Sequence, residues 1–216
     1  MNNEANHTLN SDLIMRLTRY RRVLHKLKSL GFVKVFSNNL GDAIGVTPSL
    51  VRKDLSVINM QGNKRGGYQI SDLIAALETV LGSNEPKKTV LVGCGRIGIA
   101  ILEYMDDTQE GIEVLAGFDI HADSINNPTA IPIYDTSEMT RFIREQEVKI
   151  GIIAVPDPAA EDVKDQLLEA GIEGILNFAP VELKCSRNCI IHNINISLEI
   201  ENLFYLVRMA DVTEGC

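Results

Sequence analysis

The sequence has no apolar run of the length, about 20 residues, that a membrane-spanning helix needs. Its first residues, Met1–Glu4, carry neither the basic nor the apolar region of a secretory signal peptide. We therefore expect a cytoplasmic protein with no membrane partner. A chain of 216 residues, of which 45% are hydrophobic, is long enough to bury a sizeable core in one or two domains.

Cysteine and histidine are both scarce, with four of each. Cys185 and Cys189 have no second pair of Cys or His residues at the spacing of a zinc site, because the nearby His192 stands alone. We therefore expect no metal site and treat the cysteines first as free thiols, with a metal or thiol switch as the alternative.

Charge is distributed unevenly along the chain, whose net charge is −8. Residues 1–88 hold 13 Lys and Arg against 7 Asp and Glu, a balance of +6, whereas residues 89–216 hold 8 against 22, a balance of −14. A basic region on an acidic protein suggests that only the N-terminal part meets a polyanion.

Two short helices, Ser37–Ile44 and Thr47–Ile58, have the length and spacing of a helix-turn-helix. Thr47 suits the N-cap and Pro48 the first helical position of the second helix. One face of that helix is apolar, and the other carries donors and cations, as insertion into the major groove requires. A surface helix with incidental charge is the alternative. The residues expected to contact DNA are Thr47, Ser49, Arg52, Lys53 and Ser56.

A basic, glycine-rich turn, Gly62–Tyr68, follows the second helix. Its glycines permit a tight hairpin, and Lys64 and Arg65 at the tip could reach phosphates or a minor groove. We therefore expect a wing in which Lys64, Arg65 and Tyr68 contact DNA.

Two further helices flank this region. Ser11 can cap the first, which ends before Gly31, and Ser71 can cap the second, which ends at Gly82. The first helix also carries a basic face that is either solvated or in contact with phosphate or the other domain. That face consists of Arg16, Arg19, Arg22 and Lys26.

The stretch Val90–Gly98 joins an apolar strand to a Gly-x-Gly-x-x-Gly pattern. Gly93 permits the turn out of the strand, Gly95 leaves room for a pyrophosphate, and Gly98 lets the next helix pack close to the sheet. The phosphates would rest on the free N–H groups at the start of that helix. An unliganded strand–turn–helix joint is the alternative. The loop residues expected to bind a dinucleotide are Gly93, Cys94, Gly95, Arg96, Ile97 and Gly98.

A second apolar strand, Ile112–Phe118, ends in Asp119. A carboxylate at this place can accept hydrogen bonds from the hydroxyls of the adenosine ribose. Because it would also repel a 2′-phosphate, we expect NAD(H) rather than NADP(H).

Helices and apolar strands alternate after Asp119. The predicted helices are Ser137–Glu147 and Ala159–Ala170, and the predicted strands are Lys149–Val155 and Gly174–Phe178. This alternation favours a parallel sheet covered on both faces, in which ligand contacts come from the carboxyl ends of strands. Prolines that merely stop the strands are the alternative. The residues expected at the nicotinamide half are Ala154, Val155, Pro156, Asn177, Phe178 and Ala179.

The C-terminal stretch Ser197–Arg208 predicts a helix that is too apolar to lie free in water. It needs a partner surface, either its own sheet or a second subunit.

This order of parts resembles the Rex family of redox-sensing transcriptional repressors, from about Arg16 to Leu206. The most specific matches are Val46–Pro48, Val51–Ser56, Gly93–Gly98, Phe118–Asp119 and Gly171–Pro180. The resemblance implies a homodimer with a swapped C-terminal helix, which binds a palindromic DNA operator when NADH is low and releases it when NADH rises.

On this basis we expect an α/β protein of two parts, an N-terminal winged-helix DNA-binding domain and a Rossmann dinucleotide-binding domain with a C-terminal helix. The expected bounds are residues 1–82 for the first domain, 83–88 for the linker, 89–196 for the second domain and 197–216 for the dimerisation helix and tail.

The resemblance also implies that an arginine in the first helix, a tyrosine after the glycine-rich turn and an aspartate near the C-terminal helix couple the domains. Arg22 and Tyr104 match, but Asn195 stands at the aspartate position. An asparagine can hydrogen-bond Tyr104 but cannot form a charge-assisted pair with Arg22. Ile196 stands where the family often has an aromatic residue near the nicotinamide, and the wing arginine, Arg65, comes one residue later than usual.

Two other functions fit parts of the pattern. A dehydrogenase with an accessory basic domain would need a general acid or base at the nicotinamide, for which His192 is the only histidine in a suitable part of the chain. A binding module for another nucleotide-bearing ligand, such as coenzyme A, is the third interpretation.

Overall fold

The computed structural model describes residues 10–62, 66–82, 87–107, 111–185 and 189–213, except for the side chains of 107 and 210–213. The chain divides into two compact units, Met1–Glu85 and Pro86–Cys216. The predicted α/β class with an N-terminal helical part is confirmed. The predicted wing tip, Lys64 and Arg65, and residues 83–86 of the predicted linker lie outside the described residues.

The first unit packs four helices beside a short two-stranded sheet in which β1 and β2 pair antiparallel. Its core is formed by large side chains from every helix, with Leu17, Tyr20, Leu24, Leu40, Leu55, Leu73 and Leu77 fully buried. Its elements are α1 (Ser11–Ser29), β1 (Lys34–Val35), α2 (Ser37–Ile44), α3 (Pro48–Val57), β2 (Tyr68–Gln69) and α4 (Ile70–Leu81).

The predicted helix-turn-helix is confirmed in α2 and α3. Gly45 ends α2 in the left-handed region, with φ 75°, and Gly41 lies so close to the turn that an added Cβ would come within 2.5 Å of the Val46 carbonyl oxygen. Thr47 caps α3 as predicted, because its Oγ1 accepts a hydrogen bond from the Leu50 amide at 3.3 Å.

Two predicted helix caps are wrong. The Asn10 carboxamide, not Ser11, caps α1, since its Oδ1 accepts from the Leu13 amide at 2.8 Å. Gln69 precedes α4 without a side-chain cap, and the Ser71 hydroxyl instead donates to Asp72 at 3.2 Å. The helix α1 begins at Ser11 and α4 begins one residue before Ser71, so each serine lies inside its helix and not at the cap position.

The second unit is a six-stranded parallel sheet of order β5-β4-β3-β6-β7-β8. The chain runs outwards from β3 to β4 and β5, then returns to build the other half from β6, so the order reverses between β3 and β6. This is the switch point at which open parallel sheets bind ligands. The strands are β3 (Lys87–Val92), β4 (Ile112–Asp119), β5 (Ile133–Asp135), β6 (Ile150–Ile153), β7 (Gly174–Asn177) and β8 (Ile190–Asn193).

Helices cover the sheet, and alternate residues of β3 face two separate hydrophobic clusters. Val90 and Val92 belong to the larger cluster, which includes residues of α6 and α7, whereas Leu91 packs with Leu102 of α5. The helices are α5 (Arg96–Asp107), α6 (Met139–Gln146), α7 (Asp157–Ala170) and α8 (Ile196–Thr213), with short 3₁₀ helices at Ala122–Ser124 and Thr136–Glu138.

Several bounds differ from the predictions. The strand β3 begins at Lys87, so Lys87 and Lys88 belong to the sheet and not to the predicted linker, and the strands β5 and β8 were not predicted at all. The predicted tail helix is present as α8 and is longer. Among the described residues no helix combines the length and apolar character needed to span a membrane.

Candidate DNA-binding and dinucleotide sites

The two faces of α3 differ as the sequence predicts. Val51 and Leu55 are fully buried, whereas Arg52 and Lys53 point away from the core and are exposed, as are Ser49 and Ser56. The Arg52 guanidinium also donates a hydrogen bond to the Ser37 hydroxyl of α2 at 3.0 Å. The face therefore offers hydrogen-bond donors and positive charge on a rigid helix.

A buried ion pair ties α3 to α1. The Arg16 guanidinium binds both oxygens of Asp54, at 2.7 Å from Nε and 2.8 Å from Nη2, and the Tyr20 hydroxyl donates to the same carboxylate at 3.0 Å. Asp54 is only 3% exposed. The expectation that Arg16 belongs to the outward basic face of α1 is therefore wrong.

The surroundings of this cluster shift two pKa values upwards. The hydrogen bond with Asp54 raises the pKa of Arg16. Burial first, and then the hydrogen bond to Asp54, raise the pKa of Tyr20. The tyrosine is thus a fixed donor and the arginine a fixed cation, and together they hold the Asp54 carboxylate inside the fold.

The burial of Tyr68 contradicts the prediction that it contacts DNA. Its side chain is 8% exposed and belongs to the core of the first unit, where its ring lies against Gly62. The strand β2 that contains it pairs with β1 rather than with the residues before the glycine-rich turn. Tyr68 therefore anchors the base of the predicted wing.

In the second unit a cavity of about 750 Å³ opens at the carboxyl ends of the central strands. Nine of its lining residues were predicted, and they are Gly93, Gly95, Arg96, Ile97, Asp119, Ala154, Val155, Pro156 and Phe178. The cavity lies at the switch point between β3 and β6, and its volume is in the range of cofactor sites.

Two glycines of the fingerprint, Gly93 and Gly98, have the roles that the pattern predicts, and the approach of a pyrophosphate at Gly95 stays a prediction. Gly93 has φ 94°, and an added Cβ there would come within 2.6 Å of the Ala154 carbonyl oxygen. Beside Gly95 there is open space, whereas a Cβ on Gly98 would collide with the Gly93 carbonyl. The turn and the close packing of α5 thus require glycine at Gly93 and Gly98.

Asp119 is held in place by two backbone amides. Its Oδ2 accepts from the Cys94 amide at 2.8 Å, and its Oδ1 accepts from the His121 amide at 2.9 Å. Each carboxylate oxygen has a further lone pair, so the group can still accept hydrogen bonds from two vicinal hydroxyls. The bond to Cys94 links the end of β4 to the glycine-rich turn.

Four predicted residues do not line the cavity: Cys94, Gly98, Asn177 and Ala179. Cys94 and Ala179 are buried, Asn177 is fully buried, and Gly98 packs against the turn. The Cys94 side chain instead lies in the hydrophobic cluster with α5, and burial, followed by the charge of Asp119, raises the pKa of its thiol to about 12. The contact of these four residues with a dinucleotide stays a prediction.

Eight lining residues are not among those predicted: Val92, Phe118, Ile120, His121, Thr136, Ala159, Val163 and Pro180. Some carried a usable signal, since Ile120 and His121 directly follow Asp119 and Pro180 directly follows Ala179. Thr136 follows β5, which was not predicted, and Ala159 and Val163 lie on α7.

The three predicted coupling residues lie on different elements. Arg22 is on α1, Tyr104 is on α5 with 62% of its side chain exposed, and Asn195 directly precedes α8. The Asn195 carboxamide accepts a hydrogen bond from the Leu198 amide at 3.1 Å and so caps that helix. The coupling of the domains through these residues stays a prediction.

Two family models match the chain. Residues 11–56 match the model described as "Putative DNA-binding protein N-terminus", and residues 84–181 match the model described as "CoA binding domain". The first contains α1 to most of α3, and the second contains the strands β3, β4, β5, β6 and β7 and the cavity.

Curated relatives match almost the full length. A "Redox-sensing transcriptional repressor Rex" from Desulforamulus reducens is 35% identical and covers 92% of this chain and 95% of its own length. The protein of the same name from Pelotomaculum thermopropionicum is 36% identical, covering 90% and 92%.

Solved structures match the fold over the same length. RSP, described as a Rex-family repressor, has been solved in complex with β-NAD⁺ and operator DNA, and this structure has a TM-score of 0.82 at 28% identity and covers 95% of both chains. RSP in complex with β-NADH has a TM-score of 0.78 at 28% identity and covers 96% of this chain and 98% of its own.

Proposed function

The chain belongs to the Rex family of redox-sensing transcriptional repressors, and on that premise we propose that it represses transcription by binding a palindromic DNA operator as a homodimer and releases it when NADH binds. Because the relatives are repressors and not enzymes, the alternative of a dehydrogenase is set aside. A repressor acts where the DNA is, so we place the protein in the cytoplasm.

The cavity of the second unit fits NAD(H). Its residues would bind the pyrophosphate at Gly95, Arg96 and Ile97, where the backbone at Gly95 is open and α5 begins. The Asp119 carboxylate would accept hydrogen bonds from the adenosine ribose, and its charge disfavours the 2′-phosphate of NADP(H). Ala154, Val155, Pro156 and Phe178 would surround the nicotinamide half.

The outer face of α3 fits the major groove of duplex DNA. Arg52 and Lys53 are exposed on a helix whose inner face is fully packed, and Thr47 and Ser49 lie at its N-terminal end. Lys64 and Arg65 of the wing remain further proposed contacts, and Tyr68 does not.

The helix α8 fits a dimer contact. Nine of its large hydrophobic side chains are more than half exposed, namely Ile196, Leu198, Ile200, Leu203, Phe204, Tyr205, Leu206, Val207 and Met209. An apolar surface of this extent on one helix favours association with a second copy, and a swapped helix would bury it. A palindromic operator follows from such a two-fold arrangement.

The observation that carries the proposal is the presence, in one chain, of an exposed basic recognition helix and a cavity at the switch point of the sheet. The full-length likeness to RSP supports it, since the RSP structures hold operator DNA with β-NAD⁺ in one case and β-NADH in another. The name of the second family model leaves coenzyme A as a ligand to be tested.

Fluorescence anisotropy with a labelled duplex tests the proposal. The duplex is selected from a random library by the NADH-free protein, and its affinity is measured across NADH:NAD⁺ ratios. We expect NADH to weaken DNA binding by about 5- to 150-fold, the usual range of coupling between two sites. An unchanged DNA affinity at saturating NADH would contradict the sensor function, and the same effect from coenzyme A in place of NADH would reassign the ligand.

A further inference from the structure

Two asparagines at the ends of neighbouring strands form a hydrogen-bonded pair that the dinucleotide site itself does not use. Asn177 ends β7 and Asn193 ends β8, and the two residues face each other in the parallel register. The Asn177 Nδ2 donates to the Asn193 Oδ1 at 2.8 Å. Asn177 is fully buried, so its carboxamide is shielded from water and its partners are all protein groups.

Asn177 holds the wall of the cavity. Its Oδ1 accepts from the Ala179 amide at 2.9 Å, and its Nδ2 also donates to the Val181 carbonyl at 2.7 Å. The segment between these two contacts contains Pro180, which lines the cavity, and Phe178 directly before it lines the cavity too. The conformation of this wall is therefore fixed by one buried side chain.

Asn193 holds the next part of the same loop. Its Oδ1 accepts from the Leu183 amide at 3.0 Å, and its Nδ2 donates to the Leu183 carbonyl at 3.1 Å. With the bond to Asn177, the Asn193 side chain makes three hydrogen bonds. Two of them join β8 to the loop through the amide and the carbonyl of Leu183.

The same strand end leads directly into α8. The Ile194 amide donates to the Asn177 carbonyl at 2.8 Å, Asn195 caps the helix, and α8 begins at Ile196. Only two residues separate Asn193 from a helix whose apolar side chains are exposed. A displacement of the cavity wall would thus reach α8 through hydrogen bonds and not through a flexible connection.

We propose that Asn177 and Asn193 are positioning residues that couple occupancy of the cavity to the orientation of α8. This inference rests on the proposed function and adds the route by which NAD(H), bound against Phe178 and Pro180, affects the helix through which two copies associate. Coupling between two sites needs an element that both sites bias, and the loop held by the pair is that element.

The test compares Asn193→Ala with Asn127→Ala in the full-length protein. Asn193 is exposed, and its loss leaves Asn177 bonded to Ala179 and Val181, so the fold should survive. Asn127 is a matched control, because its carboxamide also braces a loop, donating to the Ile131 carbonyl at 2.7 Å and accepting from the Thr129 amide at 3.0 Å, but it does not line the cavity.

Two quantities are measured for each variant. The first is the ratio of DNA affinities without and with saturating NADH, and the second is the NADH-induced change in hydrogen exchange of the α8 amides. For Asn193→Ala we expect the DNA ratio to fall at least fivefold and the α8 response to be lost, while the NADH-free DNA affinity stays within twofold of wild type. Asn193→Asp, which keeps the acceptor for Asn177 and Leu183, should retain part of both responses.

For Asn127→Ala both responses should equal those of the wild-type protein. A wild-type ratio and a wild-type α8 response in Asn193→Ala, once NADH is saturating, would overturn the inference, because the pair would then only shape the wall. An equal loss in both alanine variants would also overturn it, since loop stability alone would explain the effect. If the wild-type protein itself shows no effect of NADH on DNA, the proposed function fails instead, and the exchange measurement still tests the coupling to α8.

Discussion

At the scale of single residues, Asp119 has two functions that its substitution would disturb together. Replacement by Ala removes the proposed acceptor for the ribose and leaves the Cys94 amide without its partner. A hydrogen bond to a charged group contributes about 1.5–3 kcal/mol, so we expect NADH affinity to fall by about 10- to 150-fold. Titration by NADH fluorescence measures it, and DNA affinity without NADH should be unchanged.

Asp119→Asn is the matched variant, because it retains an acceptor for the Cys94 amide but lacks the charge. It should bind NADH more tightly than Asp119→Ala and should discriminate less against NADPH. Equal loss of NADH binding and DNA binding in either variant would indicate misfolding rather than a local effect.

Arg52 is the residue on α3 whose replacement should weaken the affinity for operator DNA most clearly. A contact from an arginine to a base or a phosphate contributes about 1–3 kcal/mol, so Arg52→Ala should weaken operator binding by about 5- to 150-fold. Anisotropy measures the change, and NADH affinity should be unaffected. Arg141→Ala, which removes an exposed arginine of α6, is the control for the loss of one charge. An operator affinity equal to that of Arg141→Ala would remove Arg52 from the DNA-binding surface.

The positions of single side chains were the least predictable feature of the site. The fingerprint located the glycines and Asp119 correctly, because their roles depend on backbone geometry that glycine and strand ends impose. It could not show that the Cys94 side chain lies in the core. Nor could it show that the Asn177 carboxamide forms hydrogen bonds with the loop that follows it. Those outcomes depend on which face of a strand or turn a side chain occupies, and a shift of one position reverses that face.

At the scale of secondary-structure elements, the Arg16–Asp54 pair fixes α3 against α1. Asp54→Ala leaves Arg16, which is partly exposed, without its partner. Breaking a buried ion pair costs about 3–5 kcal/mol, and the partial exposure of Arg16 favours the lower end of that range. Tyr20→Phe removes one hydrogen bond to the carboxylate and should cost about 1.5 kcal/mol. Urea denaturation measures both.

Asp42→Ala is the control for the ion pair, since Asp42 is exposed on α2 and its loss should change stability by less than about 0.5 kcal/mol. A value for Asp54→Ala equal to that control would show that packing alone holds α3. A further consequence is expected in DNA binding, because a less firmly held α3 presents Arg52 and Lys53 in more than one orientation.

Elements with a sustained apolar pattern were predicted well, and the two edge strands of the large sheet were not. The periodic apolar faces of α1, α3 and α4 and the continuous apolar residues of β3 and β4 are strong signals over many residues. The strands β5 and β8 lie at the edges of the sheet and are partly or fully exposed, so they lack the continuous apolar pattern of the equally short β6 and β7. The two helix caps were mispredicted for different reasons. Asn10, directly before Ser11, caps α1, and α4 begins at Ile70, one residue before Ser71.

At the scale of the whole molecule, the charge division predicts how DNA affinity depends on salt. We expect the basic first half to bind DNA by releasing counterions, and a protein that makes about 6–10 phosphate contacts loses about 10³–10⁵ in affinity between 50 and 200 mM salt. We expect a loss in that range for a dimer with two recognition helices and two wings. Anisotropy across a salt series measures it.

NADH affinity, measured in the same salt series, should change much less, because the ligand carries few charges and the acidic second half offers no comparable surface. A DNA affinity that is independent of salt would show that the basic face is not the binding surface.

The hydrogen bond between the Asp119 carboxylate and the Cys94 amide limits how the protein could be redesigned to respond to a different cofactor. Exchanging the carboxylate for a basic side chain, which has no acceptor, is the obvious route to a sensor of NADPH. Because the same oxygen orients the turn that would bind the pyrophosphate, such an exchange also disturbs the shared half of both cofactors. A successful redesign therefore needs a second substitution that supplies a new acceptor for the Cys94 amide. A single change to a basic residue should weaken the binding of both cofactors before it changes the preference between them.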